Sequence, residues 1–199
     1  MYNVYIEYTN QPMNFDTFNT ILNNEPIFAV MKNTKEDSIY HREESVYVHT
    51  MMVCNEFTSN YSQDNDDFFI GLFACLFHDT GKPQCRVAKE SAQRGKYFSF
   101  AGHDAASAKI AAEIMSRYNF TTFEVIRICW FIEHHQSFWT VVGNTKKIAI
   151  VNDFKNPGIG IGFPCFKAFM MADNYGRICE QGQAESDTIM ATFEQQYMV

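Results

Sequence analysis

The chain has 199 residues, 46% of them apolar and 16% aromatic, which is enough to bury a real core, so disorder and small disulfide scaffolds are excluded. Its 23 acidic and 16 basic residues leave a net charge of -7 at pH 7. That balance argues against an extended nucleic-acid surface and leaves room for a short anionic ligand at one local site.

Residues 1–10, MYNVYIEYTN, have neither a basic head nor an apolar stretch with a small-residue cleavage site, so no secretory signal is read and a cytoplasmic location is expected. Val4 to Tyr8 alternates like a short strand, and Phe15 to Leu22 fits a short helix. From there the helical period dominates, predicting helices near 44–60, 65–79, 102–118, 121–135, 145–153, 163–179 and 183–197. The segment 65–79 is apolar nearly all round and should be central, although its apolar run, 68–77, is too short for a membrane span, which needs roughly 18 residues or more. Thr121 and Glu124 form a capping box opening the next-but-one helix. Between Arg86 and Phe100 a polar stretch with a Gly-centred turn and aromatic alternation predicts a hairpin or flap. With no repeat, linker or low-complexity tract, 1–199 reads as a single all-α bundle.

The six cysteines are scattered without a CxxC pair, a pattern of buried thiols rather than of a zinc site. The histidines are more informative. At 100° per residue, His49 shares a stripe with Val46, Val53 and Phe57, and His135, unlike His134, shares one with Val125, Ile128, Cys129 and Ile132. His103 heads a stripe through Ala106, Ile110 and Ile114, and Asp173 with Arg177 continues the stripe of Phe166, Phe169 and Met170.

His78-Asp79 closes the most apolar helix, followed by the turn Thr80-Gly81-Lys82 into Pro83. A single inward histidine is commonly a hydrogen-bonded core residue, and Asp173 with Arg177 also fits a structural helix pair. Five inward residues of metal-ligand type, His49, His78, His103, His135 and Asp173, on five helices, with Asp79 beside one of them, point instead to a metal centre. Imidazole and carboxylate together suit first-row divalent ions, and a carboxylate can bridge two.

The order H…HD…D, at His49, His78-Asp79 and Asp173, resembles the HD superfamily of metal-dependent phosphohydrolases. The segments HREESVYVHTMM (41–52), ACLFHDTGKP (74–83), GHDAASAKIAAEIM (102–115), WFIEHHQ (130–136) and ADNYGR (172–177) look like the HD domain attached to bacterial CCA-adding tRNA nucleotidyltransferases, and related HD domains accompany some polynucleotide kinases. The resemblance spans roughly residues 40–180. It implies an HD-domain helical bundle in which His49, His78, Asp79 and Asp173 hold a core metal. His103 and His135 match further histidines that hold a second metal through a bridging aspartate or contact phosphate. The cofactor implied is one or two divalent ions (Mn, Ni, Co, Fe, Mg or Zn). Lys82 and Arg177 match positions suited to phosphate oxygens, though each also fits a pairing with a neighbouring carboxylate. His41 matches a histidine that precedes the first ligand, ranked as an outer residue near the substrate. Residues 1–40 hold no Gly-Ser plus paired-aspartate nucleotidyl site, so CCA addition is not expected.

The expected function is hydrolysis of a phosphate ester by metal-activated water, with Asp79 orienting or bridging, His103 or His135 contacting phosphate or protonating the leaving oxygen, and Lys82 with Arg177 offsetting charge. The resemblance suggests 2′,3′-cyclic phosphates and 2′-phosphates of nucleotides or RNA ends. Alternatives are a (deoxy)nucleotidase or dNTP triphosphohydrolase, served by Arg86, Lys89, Arg94 and Lys96 of the flap, and a non-catalytic HD module that binds a nucleotide or a protein. Aromatic abundance leaves room for a homo-oligomer interface.

Overall fold

The computed structural model describes residues 13–36, 42–92, 95–139, 148–156, 160–178 and 182–198. The strand expected at Val4 to Tyr8, together with His41, Arg94 and Cys179, lies outside them. In chain order the elements are α1 (Phe15–Asn24), α2 (Pro26–Lys32), α3 (Val46–Asn60), α4 (Phe68–Phe77), α5 (Lys82–Cys85), β1 (Val87–Ser91), β2 (Gly95–Ser99), α6 (His103–Met115), α7 (Thr122–Phe138), α8 (Ile148–Lys155), α9 (Phe163–Tyr175) and α10 (Gln183–Tyr197). This is the expected helical bundle with one small hairpin. No helix among the described residues is long and apolar enough to cross a membrane.

The bundle is organised around α4, whose residues are buried except Phe69. Helices α3, α6, α7 and α9 all pack on it, joined by an aromatic network in which Phe131, Phe166 and Phe169 contact one another and Phe57 contacts Phe68. Because α4 is surrounded, the turn at its C-terminal end is delivered into the middle of the bundle rather than to the surface.

Local chemistry explains where the elements begin and end. Ser45 caps α3 by accepting from Val48 N, so the helix starts inside the expected 44–60. Residues 62–67 form turns instead of the first turn of a helix, and α4 is accordingly shorter than 65–79. The capping box forms with both halves, Thr121 N donating to Glu124 Oε2 and Glu124 N to Thr121 Oγ1. Helix α7 then runs on to Phe138, past the expected end at 135, whereas α9 stops at Tyr175, before the expected 179, as the chain turns at Gly176. Helix α2 went unread in the sequence, although Pro26 at its first turn and the spacing of Phe28 and Met31, both buried, are signals for it. In α6 the buried face is His103, Ser107, Ala108, Ala111, Ile114 and Met115, so the expected stripe through Ala106 and Ile110 is corrected by about one position. Alanine and serine on that face allow α6 and α7 to pack closely.

Strands β1 and β2 pair antiparallel from Val87 opposite Ser99 to Ser91 opposite Gly95. All the described cysteines are free thiols, with Cys54, Cys75 and Cys165 buried.

Candidate metal centre

His49 lies in the first turn of α3, and its Nδ1 donates to the Gly176 carbonyl at 3.0 Å. Gly176 is required for that approach: a Cβ there would stand 2.7 Å from both N and Cα of Val53, so any side chain would push α9 away from α3. His78 follows α4 directly and donates from Nδ1 to the Cys75 carbonyl at 2.8 Å. His103, in α6, and His135, in α7, do the same to Phe100 O at 2.8 Å and Ile132 O at 2.6 Å. A carbonyl can only accept, so in all four rings the Nδ1 carries a proton, and each ring in its neutral form presents its lone pair at Nε2. Fixing the tautomer through the outer nitrogen is a hallmark of histidines that coordinate metal.

The four Nε2 atoms gather around Asp79. Its Oδ2 is 3.2 Å from His78 Nε2 and 3.6 Å from His49 Nε2, while its Oδ1 is 3.2 Å from His103 Nε2. Asp173 Oδ1 completes the first group, 3.1 Å from His49 Nε2 and 3.6 Å from His78 Nε2. Within the groups, His49 and His78 have Nε2 atoms 3.4 Å apart, and His103 and His135 have theirs 3.1 Å apart. His49, His78 and Asp79 thus form one potential metal-holding set, and Asp79, His103 and His135 a second sharing the same carboxylate.

Gly81 sets the second group beside the first. A Cβ on it would lie 2.6 Å from His103 O and Ser107 N, so only glycine lets the start of α6 press onto the turn after Asp79. Gly81 N also donates to Ser107 Oγ at 2.8 Å, and Thr80 Oγ1 closes the turn onto Phe77 O at 2.8 Å.

Burial alone would raise the Asp79 carboxyl, but the charges of His78 and Lys82 hold it well below the usual carboxylate range. Asp173 is likewise held far down against its burial, by its hydrogen bond to His49 and the charge of His78. Burial would lower His78, yet Asp79 and then Asp173 outweigh it and raise the ring to about 9. His135 goes the other way, lowered to about 4 by burial and by the neighbouring His103 and His78. A ring neutral at pH 7 with its lone pair aimed at another ring's nitrogen suits a cation ligand better than a proton donor. Asp79 Oδ2 has the Lys82 ammonium 2.6 Å away and Oδ1 faces His103 Nε2, yet among the described residues neither buried oxygen has an aligned hydrogen-bond donor, so the carboxylate retains capacity for a cation.

Lys82, expected at phosphate, is buried, with its ammonium against Glu36 and 2.6 Å from Asp79 Oδ2. The two carboxylates raise its pKa despite the burial. Arg177 is half-buried and donates from Nη2 to Asn174 Oδ1 at 2.6 Å. It lines, with Asp173, a cavity of about 310 Å³ that also includes Gln136, Trp139, Asn174 and Glu185. His134, set aside in the sequence, turns from the cluster and stacks on Trp130 at 4.2 Å between centroids. Of the flap cations, Arg86, Lys89 and Lys96 are exposed, with Arg86 lying over the Phe98 ring, 3.4 Å from its centroid.

Sequence reasoning missed Glu36 and Glu43, both buried. With His49 they form a third group of potential ligand atoms, and Glu43 Oε1 also accepts from Ile178 N at 2.7 Å. Neither stands in an apolar stripe, and although Glu43 lies inside the segment 41–52, nothing in that segment marks it as a ligand; the meeting of the α2–α3 connection with the α4 turn brings them in.

A family model described as the HD domain matches residues 45–152, more than half of the chain. The match takes in His49, His78, Asp79, His103 and His135, and stops before Asp173. No curated protein sequence matches the chain.

Proposed function

Since this chain belongs to the HD-domain family, whose members are generally metal-dependent phosphohydrolases, we propose that it hydrolyses phosphate esters of nucleotides or RNA ends, with 2′,3′-cyclic phosphates and 2′-phosphates as the leading substrates. The observation that carries the reading is the position of Asp79, one oxygen toward His49 and His78 and the other toward His103. That is the arrangement of a carboxylate that bridges two ions.

In this reading His49, His78, Asp79 and Asp173 would hold one ion, and Asp79, His103 and His135 would hold a second. Divalent ions there would lower the pKa of water toward ~7 and neutralise charge on phosphoryl oxygens. The chain's own part is to fix ligand orientation through the four Nδ1–carbonyl bonds and to keep Asp79 ionised through Lys82. Lys82 therefore acts on the bridging carboxylate, not on phosphate. Asp79, Asp173 and Glu36 place three formal negative charges against those of Lys82 and the protonated His78, a net negative balance that divalent charge would offset before a phosphate approached. Arg177, beside Asp173 in the cavity, would meet a phosphate oxygen or the remainder of the substrate. The pattern of segments shared with the HD domains of CCA-adding enzymes and of polynucleotide-kinase-associated proteins supports nucleotide or RNA-end substrates.

The test is phosphate release and product identity from nucleoside 2′-, 3′-, 5′- and 2′,3′-cyclic phosphates and dNTPs with Mn²⁺, Ni²⁺, Co²⁺ or Mg²⁺, alongside Asp79→Ala. Metal-dependent turnover that Asp79→Ala abolishes is expected, with 2′ or cyclic esters preferred. Triphosphate release from dNTPs would replace the substrate assignment, and a folded, metal-loaded protein without turnover on any ester would replace the enzymatic reading with a binding module.

A further inference from the structure

Helices α7 and α9 each carry a site residue, His135 and Asp173, and four residues beyond each stands a side chain of a different kind, Trp139 and Arg177. Trp139 stands just past the end of α7 at Phe138, and Arg177 just past the end of α9 at Tyr175. Trp139 and Arg177 line one cavity with Asp173 itself, closed on the far side by Gly182, Glu185, Ser186 and Ile189 at the start of α10. The cavity therefore begins at a residue of the metal centre and extends from it past the ends of α7 and α9 toward α10, which is where the unreacting part of a bound ester would lie.

Its lining has an unmet need. Asn174 is only 4% exposed; its Oδ1 accepts from Arg177, while its Nδ2 is buried with no hydrogen-bond partner among the described residues. A buried amide donor without an acceptor is costly unless a ligand or water supplies one. The half-buried Trp139 adds an indole beside it, and the exposed Gln136 and Glu185 add an amide and an acceptor carboxylate at the rim. An aromatic ring, two donors and a carboxylate around one space match a heterocyclic base with its carbonyl or ring-nitrogen acceptors and its amino or ribose hydroxyl donors. At about 310 Å³ the space is at the small end of typical ligand sites, room for one nucleoside and not for a run of nucleotides.

We propose that this cavity is a nucleoside subsite, with the base against Trp139, Asn174 Nδ2 donating to it, and the phosphate directed to Asp173 and the metal centre. The assignment rests on the phosphohydrolase reading for what the centre does, but the subsite itself is a binding statement. It makes the substrate a mononucleotide or a single terminal nucleotide.

The chain has two tryptophans, and Trp130 is tied through Nε1 to Asp153 Oδ2 at 2.9 Å, so Trp130→Phe leaves Trp139 as sole reporter. Full-length Trp130→Phe protein loaded with Zn²⁺ is titrated with adenosine, uridine and ribose, none of which can be hydrolysed as an ester. Saturable quenching by a nucleoside at concentrations at least tenfold below any effect of ribose is expected, and equal response or none overturns the subsite. Should that variant fail to fold, the wild-type protein is titrated in the same way and judged by the same two outcomes. In kinetics, Trp139→Leu should lower the ratio of kcat/KM for adenosine 2′-phosphate to that for glycerol 2-phosphate at least tenfold; an unchanged ratio overturns the subsite. Quenching without turnover of any ester removes the phosphohydrolase reading and leaves the subsite, whereas turnover of both esters alike without quenching does the reverse.

Discussion

His103 Nε2 stands 3.2 Å from Asp79 Oδ1, the oxygen opposite the one that faces His78. One carboxylate thus separates two histidine pairs, and each pair depends on it differently. Metal content by mass spectrometry after dialysis should give two ions per chain for the wild type and one for His103→Ala or His135→Ala. Asp79→Ala should lose both at micromolar metal and lower turnover by about a thousandfold or more, an order set by removing a bridging ligand. A wild-type stoichiometry of one, unchanged in His103→Ala, would sink the two-ion reading.

Metal uptake should release protons. His78 is raised to about 9 in the folded chain, above the ~6.5 of an unperturbed histidine, so near pH 7.5 the metal-free ring is protonated and must shed a proton to bind. Because the folded value is the higher one, this group stabilises the metal-free protein fully below about 6.5 and loses that contribution as pH rises through 9. Calorimetric titration at pH 7.5 in buffers of different ionisation enthalpy should show about one more proton released than at pH 9.5. An enthalpy independent of buffer at pH 7.5 would contradict this. The metal-free melting temperature should fall between pH 6.5 and 9 while that of the loaded protein does not.

Gly81 carries the contact that joins the two histidine pairs. Gly81→Ala puts a methyl 2.6 Å from backbone atoms of His103 and Ser107, neither of which can swing aside. Overpacking of this kind costs roughly 1–3 kcal/mol. Urea unfolding should show that loss, and metal analysis should show the second ion weakened before the first, since His49, His78 and Asp173 do not touch this contact. A stable variant with unchanged metal content would mean that α6 can shift without affecting His103.

The inward face of each site helix is written in the chain, because a buried face imposes a 3.6-residue period that locates His49 beside Val46 and Val53 and separates His135 from His134. What periodicity lacks is reach between elements. Glu36 is 46 residues from Lys82, in a connection with no period, and nothing local distinguishes it from the solvated Lys35 beside it. The two readings of Lys82 stay open in the sequence for the same reason: the turn after Asp79 fixes its direction, but whether that direction meets a phosphate or a carboxylate depends on a segment arriving from elsewhere, and Glu36 arrives there. The cavity of Trp139 and Arg177 is legible only in half, since the helical period pairs Arg177 with Asp173 even though α9 ends two residues before Arg177, while the walls from α10 lie outside any such period.

The Glu36–Lys82 pair can be tested by a mutant cycle. Both side chains are nearly inaccessible, so Lys82→Met leaves Glu36 and Asp79 without their shared cation and should cost about 3–5 kcal/mol in the metal-free protein, the usual order for orphaning a buried charge. Glu36→Gln/Lys82→Met removes one of those two carboxylate charges and should recover part of the loss, which independent sites would not do. Divalent metal should also rescue Lys82→Met more than it stabilises the wild type, because added cationic charge beside Asp79 takes over what the ammonium did. Denaturant midpoints for the four proteins with and without Zn²⁺ measure both effects; strictly additive changes, equal in the presence of metal, would show that Lys82 is held by packing alone.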